Sequence, residues 1–534
     1  MMKKRQICLC LIGLVGGFAA WAENLPIAAD HVRLTAFDLM DRTDDHDELV
    51  FTREWLLSSI EKDFDISANV IAAEDVLTGT GAALLRLAPL PHARTSKEAD
   101  LRVLGPRRRR TFEIVSNGYP YVVVPYTGGA IGLTRALHSA QRRIRPYKEG
   151  RDGRFLSNTW GSGFRDAHVN EAFILKEIEA AAKLGVDVVE IDDGWQRGRS
   201  MNSVLANGKG VWNGYWAVDA NFWDPDSTRF PNGFAPLINA AKSHGMKIGL
   251  WYGPDSSNDA ANWERDANRL LDFFKDGISY FKIDSMKSTS ATALARQRAL
   301  FDALITKSEG EIVIDLDVTA EIRPGYFGLM DAGTVFVENR YPTRHRYWPH
   351  HTLRNIWSLL QVVDPVRLRM EVANPDTGTE LYADDPLAPV LWRADTLFAM
   401  VMLSSPLGWF ENSALSARRM DEMRPIVATW KGERTNLHTG WTHPVGAKPD
   451  GVAWTGFVTE GADGASFYVL LFRELNEKAR YTLDLSPYLS DGWRVGEPKC
   501  LGGRGTSVLR GTSLSVEIPE KLDFLWLKLP RVSD

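Results

Sequence analysis

Cysteine is scarce in this chain. The 534 residues hold three, and two of them, Cys8 and Cys10, sit in an N-terminal apolar run. Once that run is removed only Cys500 remains, which excludes an internal disulfide. Long apolar stretches are lacking too, since the run at 7–20 is too short to span a bilayer as a stable helix. Positive charge is not in excess: the formal net charge is −5, and nothing in that balance points to nucleic acid. The one basic cluster, Arg107-Arg108-Arg109-Arg110, reads as a solvated turn between two strands. No glycine-rich phosphate loop follows the first strand of the strand–helix region, which argues against a doubly wound nucleotide fold. The spacing of His345, His350 and His351 fits no zinc pattern, so neither a metal nor another cofactor is expected.

What is present begins with the leader. Lys3, Lys4 and Arg5 precede the apolar run, and Ala20-Trp21-Ala22 fits a small-x-small cleavage site. This is the pattern of a secretory signal peptide spanning 1–22. It predicts a secreted or periplasmic protein that is not held in a membrane once the leader is cut. Loss of three positive charges takes the net charge from −5 to −8.

Three textures follow. Residues 23–150 show strand-like pieces at 32–37, 82–87, 111–115 and 121–126, separated by Thr80-Gly81 and Asn117-Gly118. A helix is expected within 48–66, and a basic helical connector at 137–147 leads out of this β-rich accessory domain. Residues 151–430 alternate strand and helix signals. Eight strand candidates are expected at 154–160, 186–191, 246–252, 280–284, 311–317, 334–338, 366–371 and 404–409. That count and length predict an α/β fold, a (β/α)8 TIM barrel. Residues 431–534 return to strands alone and predict an antiparallel β-sandwich.

Acidic residues gather where the barrel strands end: Asp192 and Asp193, Asp284, Asp315 and Asp317, then Glu338. Trp160, Trp195, Trp251 and Tyr252 fall at the same level. Carboxylates supply the acid and nucleophile of glycoside cleavage, and indole faces cover the apolar side of a sugar ring. Each feature also has a plainer reading. Asp192-Asp193-Gly194 fits a turn or cap. Lys282 and Asp284, two apart on one strand, fit an interior ion pair. Glu338 fits a strand end paired to Arg340.

Val-Val-Glu-Ile-Asp-Asp-Gly-Trp (188–195), Arg-Phe-Pro-Asn-Gly-Phe (229–234), His-Gly-Met-Lys-Ile-Gly-Leu-Trp (244–251) and Tyr-Phe-Lys-Ile-Asp (280–284) stand in the order and spacing of the melibiase-type α-galactosidases. The chain resembles glycoside hydrolase family 36, with family 27 as a relative, most strongly over 154–290. The resemblance implies a retaining exo-acting α-glycosidase on an oligosaccharide or glycoside, an α-galactosidase first of all. It places the nucleophile on Asp284 and the acid/base on Glu338, with Asp331 and Asp317 in reserve. It implies sugar contacts from Lys282, Asp192 and Asp193, and a pocket walled by Trp195. Trp160, Trp251, Asp317, Arg323 and Arg340 complete the expected substrate-binding set. Two stretches depart from the family pattern. Glu338 stands where the family carries Asp, and 317–323 replaces the family's Cys-Ser-Gly-Gly segment. Another sugar (α-N-acetylgalactosamine, β-L-arabinopyranose or an α-glucoside), transglycosylation, and sugar binding without catalysis remain alternatives.

Overall fold

The computed structural model describes residues 23–43, 46–57, 62–105, 110–320 and 322–532. The proposed leader and Arg107–Arg109 lie outside the described residues; Arg110 donates to the carbonyl of Leu57 at 3.0 Å.

Eight parallel strands close into a barrel, as the alternating pattern predicts. They are β1 (Leu156–Asn158), β2 (Val188–Ile191), β3 (Lys247–Tyr252), β4 (Tyr280–Ile283), β5 (Val313–Asp317), β6 (Thr334–Phe336), β7 (Leu368–Ala373) and β8 (Ser405–Trp409). β8 pairs back to β1, so no edge is left open.

Local sequence explains the entry into the strands. Helix Glu171–Leu184 starts on Asn170, whose side chain accepts the N–H of Phe173. It stops at Gly185, which takes φ +88° and donates to the carbonyls of Ala181 and Ala182. Residues 186 and 187 then lead into β2. Helix Trp263–Lys275 ends likewise before Gly277 at φ +106°, and β4 follows. Along β4 the side chains alternate. Phe281 and Ile283 pack in the shell between strands and helices, while Tyr280 joins the barrel interior.

Before the barrel, Val50–Leu57, Val32–Leu39, Val70–Asp75, Thr80–Arg86 and Tyr121–Tyr126 form a five-stranded antiparallel sheet in that order. The helix expected within 48–66 is therefore a strand where it is described. Val50–Leu57 pairs with Val32–Leu39 over all eight positions, and that ladder outweighs the helical look of its apolar spacing. The connector is helical, Gly129–Ile144. After the barrel come the long helix Ala417–His438, a five-stranded antiparallel sheet and a three-stranded one. Their facing apolar sides share one core, the arrangement of a β-sandwich.

Candidate active site

The barrel interior is layered. Leu156, Val188, Tyr280, Val313, Phe336 and Leu407 form an apolar cluster within it. Arg369 pairs with Asp315 at 3.0 Å, and the Thr334 hydroxyl also donates to Asp315. This charged layer is internally satisfied. Toward the carboxyl ends, Asn158 donates to Glu190 Oε1 at 2.6 Å and to Asp192 Oδ2 at 2.7 Å.

Lys282 stands at the centre of the next layer. Its Nζ donates to Asp192 Oδ2 at 3.1 Å and lies 3.7 Å from Asp317 Oδ2. The rings of Phe336 and Trp409 flank the ammonium at 4.8 and 4.9 Å. Burial works against a charge here, but Asp192, Asp317, Asp284 and Glu190 outweigh it and hold the pKa of Lys282 above its ordinary value.

Asp284 follows the last residue of β4 and extends its ladder, donating its N–H to the Tyr252 carbonyl at 3.0 Å. Its Oδ2 accepts from the Trp251 indole at 3.0 Å. Its Oδ1 accepts from Arg323 Nη1 at 2.7 Å and from the N–H of Ser285. Burial favours the neutral acid, yet Arg323, Lys282 and the Trp251 bond overcome it and bring the pKa down to about 2. Asp284 keeps 17% of its side chain exposed, against 7% for Lys282 and 6% for Asp317, so it is the group of this cluster an incoming molecule meets first.

Asp317 is its neighbour on β5. Ile283 pairs with Leu316, which sets Asp284 level with Asp317 on adjacent strands. Such strands run about 4.8 Å apart. Thr319 donates both its N–H and its hydroxyl to Asp317 Oδ1, at 3.0 and 2.7 Å. Burial and then the charge of Asp284 raise the pKa of Asp317. Two carboxyl groups side by side are thus pushed in opposite directions, one held ionised and the other toward its neutral form.

The structure brings Asp192, Trp251, Lys282, Asp284, Asp317 and Arg323 together. Trp160 lies in the interior cluster with Tyr341 and Trp409. Other expected residues are turned elsewhere. Trp195 is fully buried, donates to the Trp251 carbonyl at 2.9 Å, and packs among Trp223, Phe234 and Phe273; it props the wall from behind and does not face the mouth. Asp193 is committed to the insertion that follows β2. Gln196 donates to one oxygen at 2.6 Å and Ser200 donates to the other.

Glu338 is directed away from the cluster. Its Oε2 accepts from Thr352 at 2.7 Å and its Oε1 from Asn355 at 2.6 Å, both on helix Pro349–Leu359. Arg340 completes the group, 3.5 Å from Glu338 and 2.8 Å from Asp47, so it ties the barrel to the N-terminal region instead of reaching the mouth. Glu338 is 0% exposed and holds a partner on each oxygen. Asp331 precedes β6 and pairs with Arg298, which puts it at the amino ends of the strands, opposite the mouth. Of the three acid/base candidates, Asp317 is the one beside Asp284.

Sequence reading passed over Asn158, Glu190, Trp409 and Glu371. Glu371 lies two residues after Arg369 on β7, the same alternation that sets Lys282 with Asp284, and that signal was there to read. Its Oε1 accepts the Arg340 N–H at 2.8 Å, and its Oε2 has no partner among the described residues. Burial, then the charge of Glu338, lifts its pKa well above the usual carboxylate range. Glu190 is lifted to about 8 by burial and by Asp315.

With this geometry in view, comparison with known proteins is informative. Residues 116–268 match the family model for melibiase. An α-galactosidase of Escherichia coli is 36% identical over 101 residues, 19% of this chain and 12% of that protein. α-Galactosidase 2 of Pediococcus pentosaceus is 31% identical over 137 residues, 26% of this chain and 17% of that protein. The chain therefore spans less than a fifth of the length of these relatives in its matched segment. The family 36 α-galactosidase AgaA of Geobacillus stearothermophilus superposes with a TM-score of 0.67 at 14% identity, covering 94% of this chain and 75% of that one. The α-galactosidase of Lactobacillus brevis gives 0.67 at 12% identity, covering 95% and 74%. These last two are likenesses of fold. In motif order, in its melibiase segment and in its fold, the chain resembles the melibiase-type α-galactosidases of glycoside hydrolase family 36.

Proposed function

We propose that this chain is a retaining, exo-acting α-glycosidase, with terminal α-galactosides as its first substrate class. The observation that carries the reading is the pair at the mouth: Asp284 held ionised, with Asp317 level beside it and biased toward its neutral form. Variants of the Geobacillus enzyme have been crystallised with raffinose and with stachyose, which supports an oligosaccharide substrate.

In the first step Asp284 attacks the anomeric carbon while Asp317 gives its proton to the leaving oxygen. The C–O bond of the aglycone breaks and a glycosyl ester forms on Asp284. Esterification removes the negative charge that raised Asp317, so Asp317 is now content as a carboxylate. It takes a proton from water, the water attacks the anomeric carbon, the ester bond breaks to return Asp284 as a carboxylate, and the sugar leaves with its original configuration. The adjacent placement of the two groups suits retention, which uses carboxyl groups about 5–5.5 Å apart, better than inversion, which needs about 6.5–9.5 Å. Lys282 and Asp192 offer a donor and an acceptor to ring hydroxyls from below. In the same reading residues 1–22 act as a secretory leader, which N-terminal sequencing of the exported protein tests.

The deciding experiment incubates the protein with an aryl α-galactoside and, separately, with a fluorinated α-galactosyl inactivator. Turnover with the α-anomer released first, and a mass increment mapped to Asp284, are expected. Release of the β-anomer first overturns retention. Sugar binding with no turnover of any aryl glycoside leaves a carbohydrate-binding barrel.

A further inference from the structure

The aromatic insertion after β2, residues 196–230, reaches the mouth beside Asp284. Tyr215, fully buried, places its hydroxyl 2.8 Å from the Ser285 hydroxyl. Ser285 is the residue after Asp284, and it holds φ +54°, a left-handed conformation that a non-glycine residue adopts only under local constraint. Its N–H donates to Asp284 Oδ1. Oδ1 therefore has two donors, Arg323 and the Ser285 backbone, and Oδ2 has one, Trp251. The carboxylate plane is fixed from three directions.

The space for this arrangement is itself provided. A Cβ added at Gly253, just past β3, would come within 2.5 Å of Ser285 Oγ and 3.0 Å of Tyr215 Oη. The insertion holds Tyr215 firmly: its ring packs against Phe222 at 4.9 Å and Trp223 at 5.1 Å. Trp223 stacks on Tyr252 of β3 at 4.1 Å, and Trp212 meets Trp251 edge-on at 6.3 Å. The insertion is thus packed into the barrel wall and not hinged above it.

We propose that Tyr215 and Ser285 are positioning residues. The Tyr215–Ser285 hydrogen bond anchors Ser285, and with it the 284–285 peptide whose N–H donates to Asp284 Oδ1, and so sets the trajectory of the nucleophile. The proposal rests on the reading of Asp284 as nucleophile. Loss of that anchor lets the 284–285 peptide tilt, which removes one donor from Oδ1 and lets the carboxylate swing. Misplacement of a reacting group by about 1 Å can cost on the order of 100-fold in rate. Binding of the sugar, which uses other groups, is left in place.

The test uses four variants of the full chain. The formation rate of the covalent glycosyl-enzyme is followed by stopped flow with an activated aryl glycoside, together with kcat and KM, and a thermal melt confirms folding. Tyr215→Phe keeps the ring and is expected to lower the glycosylation rate and kcat by about 10–100-fold, with KM within a few-fold of wild type. Ser285→Ala is expected to fall as far, because alanine loses the anchor and dislikes positive φ. Ser285→Gly is expected to recover most of the loss, because glycine takes positive φ without cost and keeps the N–H. Gly253→Ala, which crowds both hydroxyls, is expected to resemble Tyr215→Phe. Wild-type kcat in Tyr215→Phe, or equal rates in the alanine and glycine variants at 285, overturns this proposal while labelling at Asp284 stands. Wild-type protein whose label maps away from Asp284 overturns the nucleophile assignment and this proposal with it.

Discussion

Arg323 donates to Asp284 at 2.7 Å, across the gap between β4 and the loop that follows β5. Lys282 shares with it the work of keeping Asp284 ionised by charge, and Lys282 is already engaged by Asp192 at 3.1 Å. Replacing Arg323 by Met should therefore raise the proton affinity of both mouth carboxyl groups, since its charge lowers Asp284 and Asp317 alike. Activity needs Asp284 ionised and Asp317 protonated. In wild type, kcat/KM should rise through the low pKa of Asp284, about 2, stay level, and fall as Asp317, raised above its ordinary value by burial and by Asp284, loses its proton. In Arg323→Met both limbs should move to higher pH. A pH–rate profile checks this, and an unmoved acid limb would detach Arg323 from the nucleophile.

Asp284→Asn keeps the shape of the side chain but turns an amide NH2 toward one of its donors and loses its nucleophilicity. Turnover should fall by on the order of 10⁴-fold or more, even for activated aryl glycosides. Binding of a monosaccharide, measured by calorimetry, should survive. Substantial hydrolysis by this variant would end the covalent mechanism.

Asp317→Ala removes the proposed proton donor. Substrates with good leaving groups need little protonation, so their first step should be nearly normal, whereas natural glycosides should slow by about 10²–10⁴-fold. Azide should restore turnover of the activated substrate by attacking the stranded glycosyl-enzyme, and the product should be the α-glycosyl azide. Loss that is equal for good and poor leaving groups, with no azide effect, would remove Asp317 from the acid/base role.

Much of this was legible in sequence, and the boundary of what was not has a physical cause. The strands of the barrel announce themselves because helix stops such as Gly185 and Gly277 precede short apolar runs. Alternation along a strand then points Lys282 and Asp284 to one side, where the Lys282 ammonium reaches Asp192 and Asp317. Alternation ends where the strand ends. β6 stops at Phe336, and beyond it the chain turns Glu338 to helix Pro349–Leu359, a direction no spacing rule carries. The insertion hid its role for another reason. Trp195 is expected to wall the sugar pocket, yet its ring packs against Trp223, Phe234 and Phe273. Positive φ at Ser285 leaves no mark in the sequence, because serine does not advertise it as glycine does.

Glu338→Gln separates the two readings of that residue. As part of the buried group with Thr352, Asn355 and Arg340, the glutamine loses a charge partner for Arg340 and mismatches one donor. Breaking one side of such a buried pair costs about 3–5 kcal/mol. The melting temperature should drop while kcat on an activated aryl glycoside stays within a few-fold of wild type, and azide should have no effect. Strong loss of turnover of poor leaving groups alone, with stability intact, would return the acid/base role to Glu338.

The last expectation concerns stability against pH. Burial raises Asp193 to about 7, with Ser200 and Gln196 holding it in place from the insertion. Its pKa in the folded chain thus exceeds the unfolded value of about 3.9. A raised acid binds its proton more tightly in the folded state, so its neutral form stabilises the fold below the unfolded pKa. That contribution is lost as pH climbs from about 4 through about 7, and it amounts to a few kcal/mol. Asp193→Asn cannot ionise. Its carbonyl can still accept from Gln196, and its amide can donate to the Ser200 hydroxyl. The variant should match wild type near pH 4 and be the more stable of the two at pH 8, with a flatter dependence of melting temperature on pH between them. Parallel curves for the two proteins would show that Asp193 does not titrate in that window.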